Sequence, residues 1–242
     1  MRIITWNIGE DERNIGGKLT IDSYEYIVQV INSENVDVIC LQEAIVKSDY
    51  IDSISKYITE NTNLKYAAEF ELSDSHINIG CKMGVVICSK YEIKDIKNIM
   101  LKNPKLVHKV NENITFYSHD KGFIKANILG IEFLVGHCLP FHIFKKSPLD
   151  YIEIFKEADE EFLKVYNENN KFVLCGDFNY SNVNELFPKT MELCTEVIKE
   201  PTKNDKQSDH LAISNRLKSI YSKVENNIFD HKFIICEIED NI

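Results

Sequence analysis

Arginine is almost missing from this chain: Arg2, Arg13 and Arg216 are the only ones in 242 residues. Guanidinium forks, which grip phosphate through two nitrogens at once, are therefore scarce, and lysine supplies nearly all of the positive charge. Positive charge is itself outnumbered, with 28 Lys and Arg against 38 Asp and Glu, a formal net charge of -10 and a pI near 5.2. Such a balance argues against non-specific binding to duplex nucleic acid, which depends on a basic surface to displace counterions. A local basic groove, or a cluster of carboxylates around a metal, remains compatible with it.

Long hydrophobic runs are missing too. The first apolar run, Ile3 to Ile8, is too short for a signal peptide or a membrane span, so a soluble cytoplasmic protein without stable membrane insertion is expected. Five prolines and nine glycines are scattered singly, with no Ser/Gly tract, repeat or low-complexity segment to mark a linker. One domain over residues 1–242, and a monomer, is the simplest expectation. The seven cysteines are odd in number and lack CxxC spacing, and most sit inside apolar runs, which predicts buried reduced thiols.

What is present is enough for a core, since 44% of residues are hydrophobic. Runs rich in Ile and Val at 2–8, 36–42, 83–89, 122–129, 131–138 and 171–178 have strand length and composition. Residues 20–34, 48–61 and 148–167 carry apolar side chains at helical spacing, as in Tyr151, Ile154, Phe155, Ala158, Phe162 and Val165. The first helix has a plausible start at Thr20-Ile21-Asp22, and Pro148 after Ser147 suits the N1 position of the third. Gly130 reads as a hairpin turn, and 208–214, 217–224 and 231–238 as three closely spaced strands. Hairpins mixed with crossover helices point to an α/β sandwich on two sheets.

Polar residues stand where apolar runs end: Asn7 in TWN, Glu43 in LQE, His137 in LVGH, Asp177 and Asn179 in GDFN. Asp209, His210, Asp230 and His231 add further carboxylates and imidazoles. Hard oxygen donors of this kind suit Mg²⁺ or Mn²⁺, whereas zinc would call for Cys or closely spaced His pairs.

In order and spacing, TWNI, DVICLQE, GVVICSKYEI, FLVGHC, GDFN, SDHLAIS and FDHKFIICEI resemble the motif series of the endonuclease/exonuclease/phosphatase superfamily, the deoxyribonuclease I-like fold. The resemblance runs from residue 2 to about residue 238. It implies an α/β (α+β) four-layer α/β/β/α sandwich of two mixed β-sheets. It also implies a metal-dependent phosphoric ester hydrolase, with a phosphate ester, nucleic acid foremost, as substrate partner. Phosphatase or phosphodiesterase action on a small-molecule or lipid phosphate is the alternative, and a non-catalytic binding protein keeping the fold is a second.

Carried over by position, Glu43 would be the principal ligand of Mg²⁺ (or Mn²⁺), with Asn7 and Asp230 at the metal. Asp177 would accept a proton from the attacking water, Asn179 would hold that water or a phosphoryl oxygen, and His137 would be a second imidazole at the phosphate. The family order also separates the two Asp-His pairs. A motif with a central Asp before an apolar strand ending in Ser precedes the final Asp-His, so SDHLAIS fills the earlier slot. His231 then becomes the catalytic imidazole and Asp209 the carboxylate that orients it. His210, on the opposite side of its strand, is expected to be structural. The final motif departs from the family in having Phe229 before the pair and no following proline.

Each motif has a plainer reading beside it. Glu43 could be a solvated strand terminus, Asn7 a loop cap, His137 a satisfied core histidine, and Asp177 and Asn179 an Asx turn. Cys138 neighbours His137 but should point to the opposite face, which excludes it as a nucleophile there. Gly16-Gly17-Lys18 lacks phosphate-loop spacing and reads as part of a loop at 9–20 beside the site. His76, His108, His119 and His142 read as surface or loop residues. Phe141 and Phe144 in the 139–150 loop either pack onto the next helix, the favoured reading, or meet substrate while Lys145 and Lys146 face phosphate.

Overall fold

A computed structural model of the chain describes residues 1–9, 21–49, 51–75, 80–112, 114–168 and 170–241. The Gly16-Gly17-Lys18 loop, the Thr20 helix start and His76 lie outside the described residues. In chain order come β1 (Arg2–Asn7), α1 (Ile21–Ser33), β2 (Val38–Ser48), α2 (Ile54–Asn61), β3 (Tyr66–Asp74) and β4 (Cys81–Ser89). Then follow β5 (Ile93–Met100), a small ribbon of β6 (Val107–Lys109) and β7 (Thr115–Tyr117), β8 (Gly122–Ile128), β9 (Ile131–His137) and α3 (Ile152–Glu168). The remainder is β10 (Phe172–Asp177), two short turns of helix α4 (Val183–Leu186) and α5 (Pro188–Met191), β11 (Cys194–Glu196), β12 (Asp209–Ser214), β13 (Leu217–Glu225) and β14 (Phe233–Asp240).

Two mixed six-stranded sheets result, in the orders β13-β14-β1-β2-β4-β3 and β11-β12-β10-β9-β8-β5. Each has one parallel pair at its centre, β1 with β2 and β9 with β10, bridged by the crossover helices α1 and α3. These central strands are buried on both faces, which is why they read as near-continuous apolar runs. Alternation still sorts their side chains. Ile4, Trp6, Ile39 and Leu41 face α1 and α2, while Ile3, Val38 and Cys40 meet Val173 and Cys175 between the sheets. Phe172 and Leu174 face Phe155, Ala158, Phe162 and Val165 of α3. The layers are therefore helix, sheet, sheet, helix. All seven cysteines are buried and free, and no helix among the described residues is long and apolar enough to cross a membrane.

Several boundaries differ from the sequence expectations. The helix expected over 48–61 starts only at Ile54, because β2 runs on to Ser48 and Ser53 caps the helix, accepting from the Lys56 amide at 3.4 Å. Pro148 does follow a capping Ser147, but it opens a 3₁₀ turn over Pro148–Tyr151 that leads into α3. Strands β3 and β5 escaped the sequence reading. Both are sheet edges rich in exposed Glu and Lys, as edges that must not recruit another chain tend to be.

Two glycines show how backbone conformation is used. Leu129 (φ 52°) and Gly130 (φ 78°) make the tight β8–β9 turn, with nothing within 4 Å of where a Gly130 Cβ would stand. Gly176 pairs with Gly136 across the parallel β9–β10 register, has φ 140°, and would place a Cβ 1.9 Å from the Gly136 carbonyl oxygen. This close approach sets His137 directly opposite Asp177. Gly176→Ala is expected to cost about 3 kcal/mol or more, from backbone strain plus collision, against about 1 kcal/mol for Gly130→Ala. Urea unfolding of the two variants tests this, and equal losses would contradict the close-approach argument.

Candidate active site

Both sheets end their central strands at the same side of the molecule. In the second sheet, His137, Asp177 and Asp209 form a row across β9, β10 and β12. In the first, Asn7 ends β1 beside Gln42 of β2. Glu43 does not end its strand, contrary to the expectation. It sits in a bulge within β2, where the pairing steps from Leu41–Val86 to Ala44–Gly84 and two residues face one. Its φ of 53° is left-handed backbone for a side chain with a Cβ. A bulge turns one residue out of the alternation while the strand continues, and that turn brings Glu43 to the site.

The groups stand within direct contact of one another. Asn7 Nδ2 donates to Asp177 Oδ2 at 2.8 Å, joining the two sheets, and Asn7 Oδ1 accepts from the Gly9 amide at 2.8 Å. Asn179, also left-handed with φ 52°, donates its amide to Asp177 Oδ1 at 2.8 Å and its Nδ2 to the Cys138 carbonyl at 3.1 Å. The loop-cap and Asx-turn readings are thus geometrically present, but the same bonds fix the Asp177 carboxylate. His137 Nε2 stands 3.5 Å from Glu43 Oε1 and 3.6 Å from Asp177 Oδ2. His231 Nδ1 is 2.8 Å from Asp209 Oδ2, and its Nε2 is 3.9 Å from Asp177 Oδ2.

Burial, together with the Asp209 and Glu43 charges, drives the Asp177 pKa up to about 7, although His231 and the Asn7 bond pull the other way. Burial alone would push His231 down. The Asp209 carboxylate and the bond it accepts, helped by Asp177, outweigh this and hold His231 at about 9. A charge pair about 4 Å apart at an effective dielectric near 20 is worth roughly 4 kcal/mol, which is the scale needed for that outcome.

Not every expected residue joins this group. Asp230 does not: Lys203 Nζ holds its Oδ2 at 2.7 Å and, with His231, keeps its pKa low against burial. His210 lies on the far side of its strand, with Nδ1 2.7 Å from Glu196 Oε1 and Nε2 2.8 Å from the Tyr180 carbonyl, its ring stacked on Phe178. Cys138 packs among α3-facing apolar residues, and burial raises its thiol pKa well above the usual value. Phe229, the departure from the family motif, is buried against Trp6 with ring centroids 5.1 Å apart, so it anchors the segment carrying His231.

Two lysines were not anticipated. Buried Lys121 contacts His137 Nδ1 at 2.9 Å. Lys203, beside Asp230, has its pKa pushed down by burial, but Asp230, Glu43 and Asp177 more than offset this and leave it raised. The one sequence signal for Lys121 is its place just before β8, whose first residue pairs with His137.

Glu43, Asp177, Asn179, His231, Lys121 and Lys203 form the polar floor of a cavity of about 470 Å³. Its walls include Met83, Phe116, Tyr117, Ile143 and Phe144. Phe141 is buried and stacks on Tyr151, the packing role, while Phe144 packs and also reaches the cavity. His119 and His142, read as loop residues, line it as well.

The donor set fits a hard divalent cation. Ligand atoms of Glu43, His137 and Asp177 lie within 4.8 Å of one another, as do those of Asp177, Asp209 and His231. Buried Asp209 Oδ1 has no hydrogen-bond partner among the described residues, and Asp177 is raised by burial and by its anionic neighbours, so negative charge exceeds what the described donors neutralise. Carboxylate oxygens with such an excess are what Mg²⁺ or Mn²⁺ select.

Comparison with known proteins agrees with this geometry. No curated protein matches the chain. Among solved structures, it is similar to a 3′ phosphatase from Neisseria bound to a product DNA hairpin (TM-score 0.66, 16% identity, 99% of each chain covered). It is also similar to a mannosyl-6-phosphatase from Bacteroides thetaiotaomicron (0.63, 12%, 99% of each) and an AP endonuclease from Archaeoglobus fulgidus (0.67, 14%, 98% of each). The model of the Endonuclease/Exonuclease/phosphatase family matches residues 4–189. Over three quarters of its length, and with two mixed sheets meeting at a carboxylate-rich cleft, this chain belongs to that family of phosphoric ester hydrolases, nucleases and phosphatases.

Proposed function

We propose that the chain is a divalent-metal-dependent phosphodiester hydrolase acting on nucleic acid. The observation that carries this reading is the buried Asp209–His231 pair, whose free ring nitrogen faces Asp177 at the floor of the cavity. The similar 3′ phosphatase bound to a product DNA hairpin and the similar AP endonuclease support the substrate class, and the aromatic wall of Phe116 and Tyr117 offers surfaces on which an unpaired base could stack.

Glu43, with Asn7, would hold the cation; when bound, the cation would polarise the phosphoryl group and stabilise the leaving oxygen. Asp177, held near neutrality and fixed by Asn7 and Asn179, takes a proton from water as that water attacks phosphorus. Protonated His231 donates to a phosphoryl oxygen as negative charge builds there, while Asp209 holds the ring and its charge. His137, held at Nδ1 by Lys121, offers a second imidazole at the phosphate, and Asn179 positions the water or a phosphoryl oxygen. The bond to the leaving oxygen then breaks.

Hydrolysis of a single-stranded oligonucleotide with Mg²⁺ or Mn²⁺, its loss on chelation, and a roughly 10³-fold lower kcat/KM in Glu43→Gln are expected. Full activity in metal-free buffer or in Glu43→Gln would remove the assignment. His231→Ala should abolish turnover, whereas His210→Ala should lower the melting temperature but leave most turnover in the folded protein; the reverse pattern would exchange their roles.

The pH profile carries a sign. His231 is charged below its raised pKa of about 9, so activity should fall as pH rises through that value. Asp209→Asn removes the anion that raises it, and the alkaline limb should move at least one pH unit lower, measured as kcat/KM against pH. An unmoved limb would separate Asp209 from the catalytic imidazole.

A further inference from the structure

Beside the reacting cavity lies a second one of about 730 Å³, sharing Asn179, His142 and Lys203 with the first. It differs in lining. Lys146, Lys203 and Lys206 border it together with Ser181, Asn182 and Asn204. In a chain of net charge -10, three lysines around one groove are a local reversal of sign. Lys203 is committed to Asp230, but Lys146 and Lys206 form no ion pair among the described residues, and Asp205 is the one acidic side chain lining the groove. His142 senses the field: burial lowers its pKa, and the charges of Lys206 and Lys203 lower it further.

Both lysine-bearing loops are fixed from beneath. Residues Lys203 to Lys206 form a tight turn closed by two reciprocal backbone bonds of 3.0 Å, with Asn204 at φ 52°. Fully buried Thr202 ties it down, its Oγ1 accepting from the Ser208 and Asp209 amides at 3.0 Å and its carbonyl accepting from the Lys232 amide at 2.8 Å. The turn is thereby fastened to the start of β12, which carries Asp209, and to the segment before β14, which carries His231. On the facing side, the Lys146 amide bonds the carbonyl of buried Phe141 at 3.1 Å, and Ser147 opens a capping box directly after it. Cations held on rigid backbone lose less freedom on binding an anion than cations on loose loops do.

We propose that Lys146 and Lys206 form an anion subsite for a second phosphate, adjacent to the one that is cleaved, and that the substrate is a polyphosphorylated chain rather than a lone phosphate ester. This deepens the function proposed above and rests on it for the identity of the neighbouring cavity. The aromatic-walled cavity and the lysine-lined groove meet at Asn179, so a strand crossing the carboxylates would put a base in one and its next phosphate in the other.

Binding and turnover separate the two claims. Fluorescence anisotropy with a labelled single-stranded phosphorothioate oligonucleotide, which resists hydrolysis, and competition by inositol hexakisphosphate, are measured in Mg²⁺ across salt concentrations. The double variant Lys146→Ala, Lys206→Ala should bind the oligonucleotide about 10- to 100-fold more weakly, with a salt slope shallower by about one to two. Competition stronger than oligonucleotide binding would support the subsite but reassign the second phosphate to a small polyphosphate. An unchanged dissociation constant and salt slope in the variant, or no binding of either ligand to the wild type, overturns the subsite. Parallel turnover of the unmodified oligonucleotide and of bis(p-nitrophenyl) phosphate reads the other claim: binding without hydrolysis of either would remove the proposed activity and leave the subsite standing.

Discussion

Glu43, Asp177 and Asp209 share a volume from which most water has been withdrawn, and that crowding of like charge governs what surrounds it. Desolvation and mutual repulsion together lift Asp177 toward neutrality. A protein cannot leave such a cluster bare, so it is met by an amide from β1, an amide from the turn after β10, an imidazolium from the loop before β14 and the field of an ammonium group before β12. Each of these donors comes from a different stretch of chain. The cluster therefore makes a demand on the whole fold, namely that two sheets bring the same ends together.

The fold meets that demand by repeating one device. In each sheet a strand, a crossover helix and a parallel strand form the centre, and the carboxyl ends of β1, β9 and β10, with the bulge of β2, open on the same cleft. Between the sheets the packing is mostly apolar, with buried Thr5 and Gln42 bonded to each other, so the sheets cannot slide without exposing that layer. The Asn7–Asp177 bond lies at its rim and carries the registration of one sheet to the other. Asp177 is held in place by packing before it is tuned by charge.

Much of this is legible in the sequence where burial and chemistry leave short, local marks. The central strands announce themselves as Ile- and Val-rich runs because both of their faces are covered. Asn7, His137 and Asp177 stand where those runs stop, and the two Asp-His pairs are told apart by the apolar strands that still follow the first. What is not legible depends on backbone geometry or on partners far along the chain. Glu43 reads as a strand end because a bulge has no composition of its own. Asp230 reads as a metal-side carboxylate because nothing near it in sequence reveals Lys203. Lys121 looks like any lysine leading a strand until the β8–β9 register sets it against His137. Edge strands β3 and β5 conceal themselves with the same lysines and glutamates that protect them.

The chain contains a single tryptophan, and its position has a practical consequence. Trp6 is wholly buried, lies one residue from Asn7, and has its ring against Phe229 and Phe233, which flank the Asp230–His231 segment. Among the described residues its indole nitrogen has no hydrogen-bond partner. Tryptophan emission, excited at wavelengths where the eleven tyrosines do not absorb, is therefore a one-site optical signal, native to the chain, from the seam where the first strand meets the loop carrying the imidazole.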